Sequence, residues 1–241
     1  MLIGCVLLFM VVGQLIGMFG LSTLTSQPFD SLQLVTKQPQ LFKNAWQGMM
    51  LMQGVASLFG FVLSGIFVWH FFDKKSIATL FDFQKINLIL VVQIVLLIFL
   101  SLPVAAWLGG INKAMVLPEF LAGLEQWMKN QEETLAKLTV FLTTFSGIDK
   151  YLIALLVVAL IPAIGEEIIF RGLMQRYFIK IFKNPHVGIC LSAFVFSAIH
   201  VQFYGFLPRF FLGIVLGYLC YYSKSLSAAI IGHFKIGRAH V

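Results

Sequence analysis

From Met1 to Leu21 the chain carries no charged residue, and apolar runs of similar length recur along it. The hydrocarbon core of a bilayer, about 30 Å thick, is crossed by about 20 apolar residues in a helix. Runs of that kind extend over Trp46 to Phe72, Ile86 to Leu108, Tyr151 to the segment around Phe170, Val187 to about Phe203, and Phe206 to Tyr222; a seventh starts at Leu226. The first run has no Lys or Arg ahead of it and no small-residue cleavage site after it. It therefore reads as a retained helix rather than a signal peptide. Pro103 predicts a kink in the third run, and His70, at the end of the second, reads as interfacial. One connection is long, Asn112 to Asp149. Its apolar residues Phe120, Leu121, Leu124, Trp127, Leu135, Leu138 and Leu142 fall near helical spacing among charges, which predicts an amphipathic surface helix or helix pair within Pro118 to Phe145. The expected fold class is all-α, a polytopic transmembrane helical bundle of six spans plus a truncated seventh.

Composition closes off the alternatives. Of 241 residues 59% are hydrophobic and 11% charged, against roughly 25% charged in soluble domains. Twenty-seven charged residues cannot give a soluble domain of this size a polar shell, which excludes an ordinary soluble enzyme and a disordered chain. The net charge of +7 is carried mostly by short connections, so it speaks for membrane orientation and not for nucleic acid. The connections after the second, fourth and sixth runs hold Lys74, Lys75, Lys85, Arg171, Arg176, Lys180, Lys183 and Lys224 against Asp73 and Asp82, which places these connections in the cytoplasm. Cys5, Cys190 and Cys220 lie in apolar runs without metal-ligand spacing and read as small buried hydrophobes.

The last seven residues, Lys235 to Val241, break from the apolar pattern that begins at Leu226. Their sequence KIGRAHV matches the translation of a common short-read sequencing adapter. Residues 235–241 are therefore expected to be an artefact, with the native chain truncated near Phe234 and no function at His240. Domain organisation follows: 1–150 form N-terminal transmembrane helices with the amphipathic connection at about 112–149, and 151–234 form the functional core.

That core holds the chemistry. In Ile161 to Arg176, Glu166 and Glu167 sit fifteen residues or more beyond Tyr151, about 22 Å along a helix. Ionisable groups at that depth are costly and mark a functional site by default. On α-helical spacing Glu167 and Arg171 share a face, i to i+4, so an ion pair is easy. Glu166 lies about 100° round and has no cation four residues on; its charge must face a cavity, another helix or a bound ion. A desolvated carboxylate suits a general base, while a buried charge cluster that locks helices together explains the pair equally well. Phe196 and His200, also i to i+4, stack ring on imidazole in the fifth run, and His233 follows Gly232 in the last. Alone, each histidine reads as an interhelical hydrogen-bonding group. A membrane transporter or immunity-type scaffold with a buried Glu/Arg/His cluster is the alternative to an enzyme.

Glu166-Glu167-x-x-x-Arg171, then Phe196-x-x-x-His200, then His233 resemble the ordered motifs of the CPBP (CAAX protease and bacteriocin-processing, Abi) intramembrane proteases, the type II CAAX prenyl endopeptidase-like group. The resemblance covers about Leu152 to Phe234. It implies about eight helices, a multi-pass location in a prokaryotic plasma membrane, and an intramembrane endopeptidase acting on a membrane-associated, prenylated or leader-peptide substrate. By it, Glu166 activates a water, His200 shares or relays the proton, His233 stabilises the oxyanion, and Arg171 and Glu167 fix the helix and the charge of the site. The family's third motif places Asn or a similar residue four positions after its His; Gly237 stands there in this chain. The family's metallopeptidase label would make Glu166, His200 and His233 zinc ligands; without an HExxH helix, a metal-free glutamate mechanism is the preferred expectation. Bilayer and peptide substrate are the expected partners, and no nucleic acid.

Overall fold

The computed structural model describes residues 1–81 and 86–238, the last by its backbone only. Asp82 and Lys85 of the orientation argument lie outside the described residues, as do Ala239, His240 and Val241 of the adapter-like tail. All regular structure among the described residues is helical: α1 Leu2–Thr25, α2 Leu32–Lys37, α3 Ala45–Phe72, α4 Leu88–Ala114, α5 Ala122–Thr143, α6 Ile148–Phe182, α7 Pro185–Ala198, α8 Phe206–Ser223 and α9 Leu226–Arg238. Among them α1, α3, α4, α6 and the stretch Phe203–Ser223 are long and apolar enough to cross a bilayer. The chain is an integral membrane protein of the polytopic all-α class expected.

Local chemistry sets the helix ends. The Asn87 side chain accepts from the Leu90 N–H at 2.8 Å, and that of Asn184 accepts from His186 N–H at 2.9 Å and Val187 N–H at 3.3 Å, with Pro185 in the first turn. The amphipathic connection forms α5 as its spacing predicts. Its Glu125 accepts from the Lys129 ammonium and, at 3.0 Å, from the Leu117 N–H, which together hold the Glu125 carboxyl below the usual carboxylate range. The fifth run corrects the sequence reading. Its helix stops at Ala198, not near Phe203, and at 14 residues covers about 21 Å. Ile199 and His200 form a turn, and Val201 takes φ 53°. A β-branched residue in the left-handed region cannot continue the helix, whatever its hydrophobicity.

Two compact units divide the chain: the first comprises Met1–Leu80, Lys137–Ile169 and the residues from Ile236, the second Phe81–Ala136 and Phe170–Lys235. The first unit packs α1, α3 and the opening of α6 around Leu21, Trp46, Met49, Met50, Leu142 and Val157. The buried Trp46 indole N–H donates to Leu142 O at 3.0 Å, so its polar edge is satisfied. Glycines bring the backbones together: a Cβ at Gly13 would stand 2.6 Å from Phe59 Cβ, and one at Gly17 2.9 Å from Met52 Cα. This small-xxx-small seam is how apolar helices associate where lipid offers no hydrophobic drive. Gly165 plays the same part for α6, where a Cβ would lie 2.7 Å from Phe61 Cβ and 3.1 Å from Val62 N.

α6 is not uniformly α-helical. Leu155–Leu160 and Ile168–Met174 are π-helical, flanking the α stretch Ile161–Glu167. Pro162 has no N–H, and its ring would clash with the carbonyl one α turn back. The wider π turn directly before it relieves that conflict without ending the helix. In the second unit α4, α7 and α8 pack together with the end of α6. Asn112 of α4 is 6% exposed and accepts from the Leu207 N–H at 2.8 Å, capping the start of α8.

Replacing Gly17 with Leu should cost about 1–3 kcal/mol through overpacking. The thermal unfolding midpoint of the detergent-solubilised protein is expected to fall, while Gly4→Leu, where a Cβ meets nothing within 4 Å, should leave it unchanged.

Candidate active site

The residues singled out by sequence fall in both units. Glu166 and Glu167 close the α stretch of α6 in the first unit, one and two residues after the tight contact of Gly165 with α3. Glu167 is fully buried and Glu166 part-buried. From Ile168 onward the hydrogen bonds run i to i+5. A π turn advances about 82° per residue, so Glu167 and Arg171, four apart, stay within about 40° of one another around α6, as they would on α spacing.

Arg171, His200 and His233 all belong to the second unit, and the ring of Phe196 brings them together. The Arg171 guanidinium is 2% exposed and stands 4.7 Å from the Phe196 centroid. The imidazoles of His200 and His233 meet the same ring edge-on, at centroid distances of 5.1 and 5.9 Å, and Phe170 adds a third edge contact at 5.2 Å. A ring with a negative face and a positive edge suits such mixed company: the cation takes the face and the imidazoles pack at T-shaped angles of 71° and 89°.

Helix α8 completes the frame. Arg171 Nη2 donates to Gly213 O at 3.0 Å, and Gln175 Nε2 donates to Gly217 O at 3.1 Å. Two donors four residues apart on α6 thus match two carbonyls four residues apart on α8. The carbonyls are reachable because glycine leaves that face bare: a Cβ at Gly217 would stand 2.9 Å from Gln175 Oε1 and 2.7 Å from Ile189 Cγ2, and one at Gly213 3.1 Å from Ala193 Cβ. Ser192 Oγ donates to Phe170 O at 2.9 Å, fixing α7, the helix that carries Phe196, to α6. Gln175 and the glycine pair were not among the site residues read from sequence. The signal for them was Gly213-x-x-x-Gly217 in step with Arg171-x-x-x-Gln175.

The helix stop at Ala198 defines His200. Its Nδ1 lies 2.7 Å from Phe196 O. A carbonyl oxygen only accepts, so Nδ1 carries the proton and Nε2 presents a lone pair able to take one. His200 therefore sits in the turn after α7 rather than within a span. His233 is positioned by its neighbour Gly232, where a Cβ would lie 2.9 Å from Leu216 Cδ2, seating α9 closely on α8. Gly237, at the position of the family's Asn, is still helical, and a Cβ on it would lie 3.3 Å from Ala159 Cα.

Within neither unit do three His, Cys, Asp or Glu side chains among the described residues converge as a metal-holding group. The donor set of the second unit is two imidazoles, short of the three protein ligands of a catalytic zinc site; Glu166, the third in the zinc reading, belongs to the first unit.

Residues 148–236, from α6 into α9, match the family model described as type II CAAX prenyl endopeptidase Rce1-like. No curated protein and no solved structure matches the chain. The resemblance argued from the Glu166, Phe196 and His233 motifs is thus borne out over this segment, at the level of a CAAX-type intramembrane protease family.

Truncating Phe196 to Ala removes the ring shared by the guanidinium and both imidazoles. A stability loss of about 3–5 kcal/mol is expected. In a double-mutant cycle with Arg171→Met the two changes should couple by about 0.5–2 kcal/mol, measured by chemical unfolding in detergent.

Proposed function

With an Rce1-like domain over residues 148–236 as the premise, we propose that the chain is an intramembrane endopeptidase. It hydrolyses a peptide bond of a membrane-associated substrate, prenylated or leader-bearing, through a water activated by Glu166 and His200. What carries the reading is the meeting of Arg171, His200 and His233 on Phe196 inside an apolar protein. The three come from α6, from the turn after α7 and from α9, and so gather motif residues from separate segments at one ring.

In this mechanism the Glu166 carboxylate removes a proton as the water oxygen bonds to the scissile carbonyl carbon. The resulting oxyanion is stabilised by an imidazole N–H of His233. His200, with Nδ1 held by Phe196 O, receives the proton at Nε2 and delivers it to the leaving nitrogen as the C–N bond breaks, giving a carboxylic acid and an amine. Arg171 and Glu167 are positioning residues that fix α6. Zinc would use the same three residues, Glu166, His200 and His233; the metal-free route is preferred because the carboxylate and the Nε2 lone pair suffice for the proton transfers.

Full-length protein in liposomes, given a fluorogenic prenylated CAAX peptide, tests the assignment. Glu166→Gln should lower kcat/KM by about 10²–10⁴-fold while the protein stays folded, and a strong zinc chelator should leave the wild-type rate unchanged. Undiminished cleavage by Glu166→Gln would remove the mechanism.

A further inference from the structure

The first unit contains an apolar groove that the proposed chemistry does not use. It runs between α3 and α6, encloses about 340 Å³, and is lined by residues that include Trp46, Met50, Gly54 and Leu58 on α3 and Ile153 and Val157 on α6. The lining is almost wholly hydrocarbon, and the wall is open to the outside, with Leu58 37% and Ile153 41% exposed. The two helices run side by side in the same direction, since Gly54 meets Val157 and Gly65 meets Ile168. From Trp46 to Leu58 the groove measures about 18 Å along α3 at helical rise. That is close to half of the roughly 30 Å hydrocarbon thickness, the depth of one leaflet.

The Trp46 end is cationic. Lys150 Nζ stands 5.6 Å from the Trp46 ring centroid. Among the described residues no carboxylate pairs with Lys150, and that of its neighbour Asp149 lies over Gly147 instead. Lys43 is exposed just ahead of α3. Both helices begin at this end, so the positive ends of their dipoles add to the two ammonium groups. Trp and Lys are the side chains that anchor a helix at the headgroup level.

A one-leaflet hydrocarbon slot with an unpaired cation at its interfacial end matches one class of molecule. We infer that the groove binds an anionic phospholipid, one acyl chain lying along α3 and α6 to the bilayer midplane and the phosphate on Lys150. The inference stands apart from the peptidase assignment, because it uses none of Glu166, Glu167, Arg171, His200 or His233.

Native mass spectrometry of the full chain released from detergent tests it, with dioleoyl phosphatidylglycerol and dioleoyl phosphatidylcholine as probes. The wild type should retain one phosphatidylglycerol in preference to phosphatidylcholine. Lys150→Glu should weaken that retention about tenfold, Lys150→Arg should keep it, and Ile153→Trp, which fills the slot from an exposed position, should abolish it. Equal retention of both lipids with no effect of Lys150→Glu overturns the inference. So does a dimer that forms in place of the lipid adduct and is lost in Ile153→Trp. Cross-linking of Ile153 to the lipid chain of a prenylated peptide, with no phospholipid retained, would likewise reassign the groove to substrate.

Discussion

A guanidinium inside an apolar helix bundle must find its hydrogen-bond partners in protein, and the second unit is arranged around how Arg171 does so. Its charge is almost completely withdrawn from solvent. It is held by the Gly213 carbonyl and by the face of Phe196. Burying such a group is costly unless it is well partnered, and losing one partner would leave an uncompensated charge. The helix that supplies the carbonyl and the helix that supplies the ring are therefore tied to α6 at one point. The two imidazoles reach that point because they pack on the same ring.

Absent side chains make this possible. Lipid tails are as apolar as leucine, so helices in a bilayer gain little by hiding leucines from them and associate through close packing and hydrogen bonds. Gly213 and Gly217 bare the α8 backbone to Arg171 and Gln175, Gly13 and Gly17 seat α1 on α3, and Gly165 fixes the turn of α6 that carries Glu166 and Glu167. The π-helical turns on either side of those carboxylates serve the same end. They let α6 pass Pro162 and set the positions of the residues that follow, at a site where such turns are often functional.

Much of this was legible beforehand, for reasons that differ by residue. The apolar runs gave the long helices, since bilayer thickness fixes how many apolar residues a span requires. The spacing of Leu124, Trp127, Leu135 and Leu138 gave α5. The order of Glu166, Arg171, Phe196, His200 and His233 gave the resemblance that the family model matches over residues 148–236, and the structure places three of them on one ring, that of Phe196. What escaped was backbone detail: the stop at Ala198, hidden because Val201 and Phe203 are as apolar as the helix before them, and the π geometry after Glu167.

The sequence by itself determined that this chain lives in a membrane, which segments are helical, and which few polar residues are available for chemistry. Those properties follow from hydrophobicity and local spacing, and both are written along the chain. Only the tertiary structure decided that Gln175 and two glycines belong to the frame of the site, that His200 leaves Nε2 open, and that Lys150 stands over the Trp46 ring at one end of an apolar groove. These depend on distances between residues far apart in sequence, which are set by backbone approach and ring packing and not by the hydrophobic pattern.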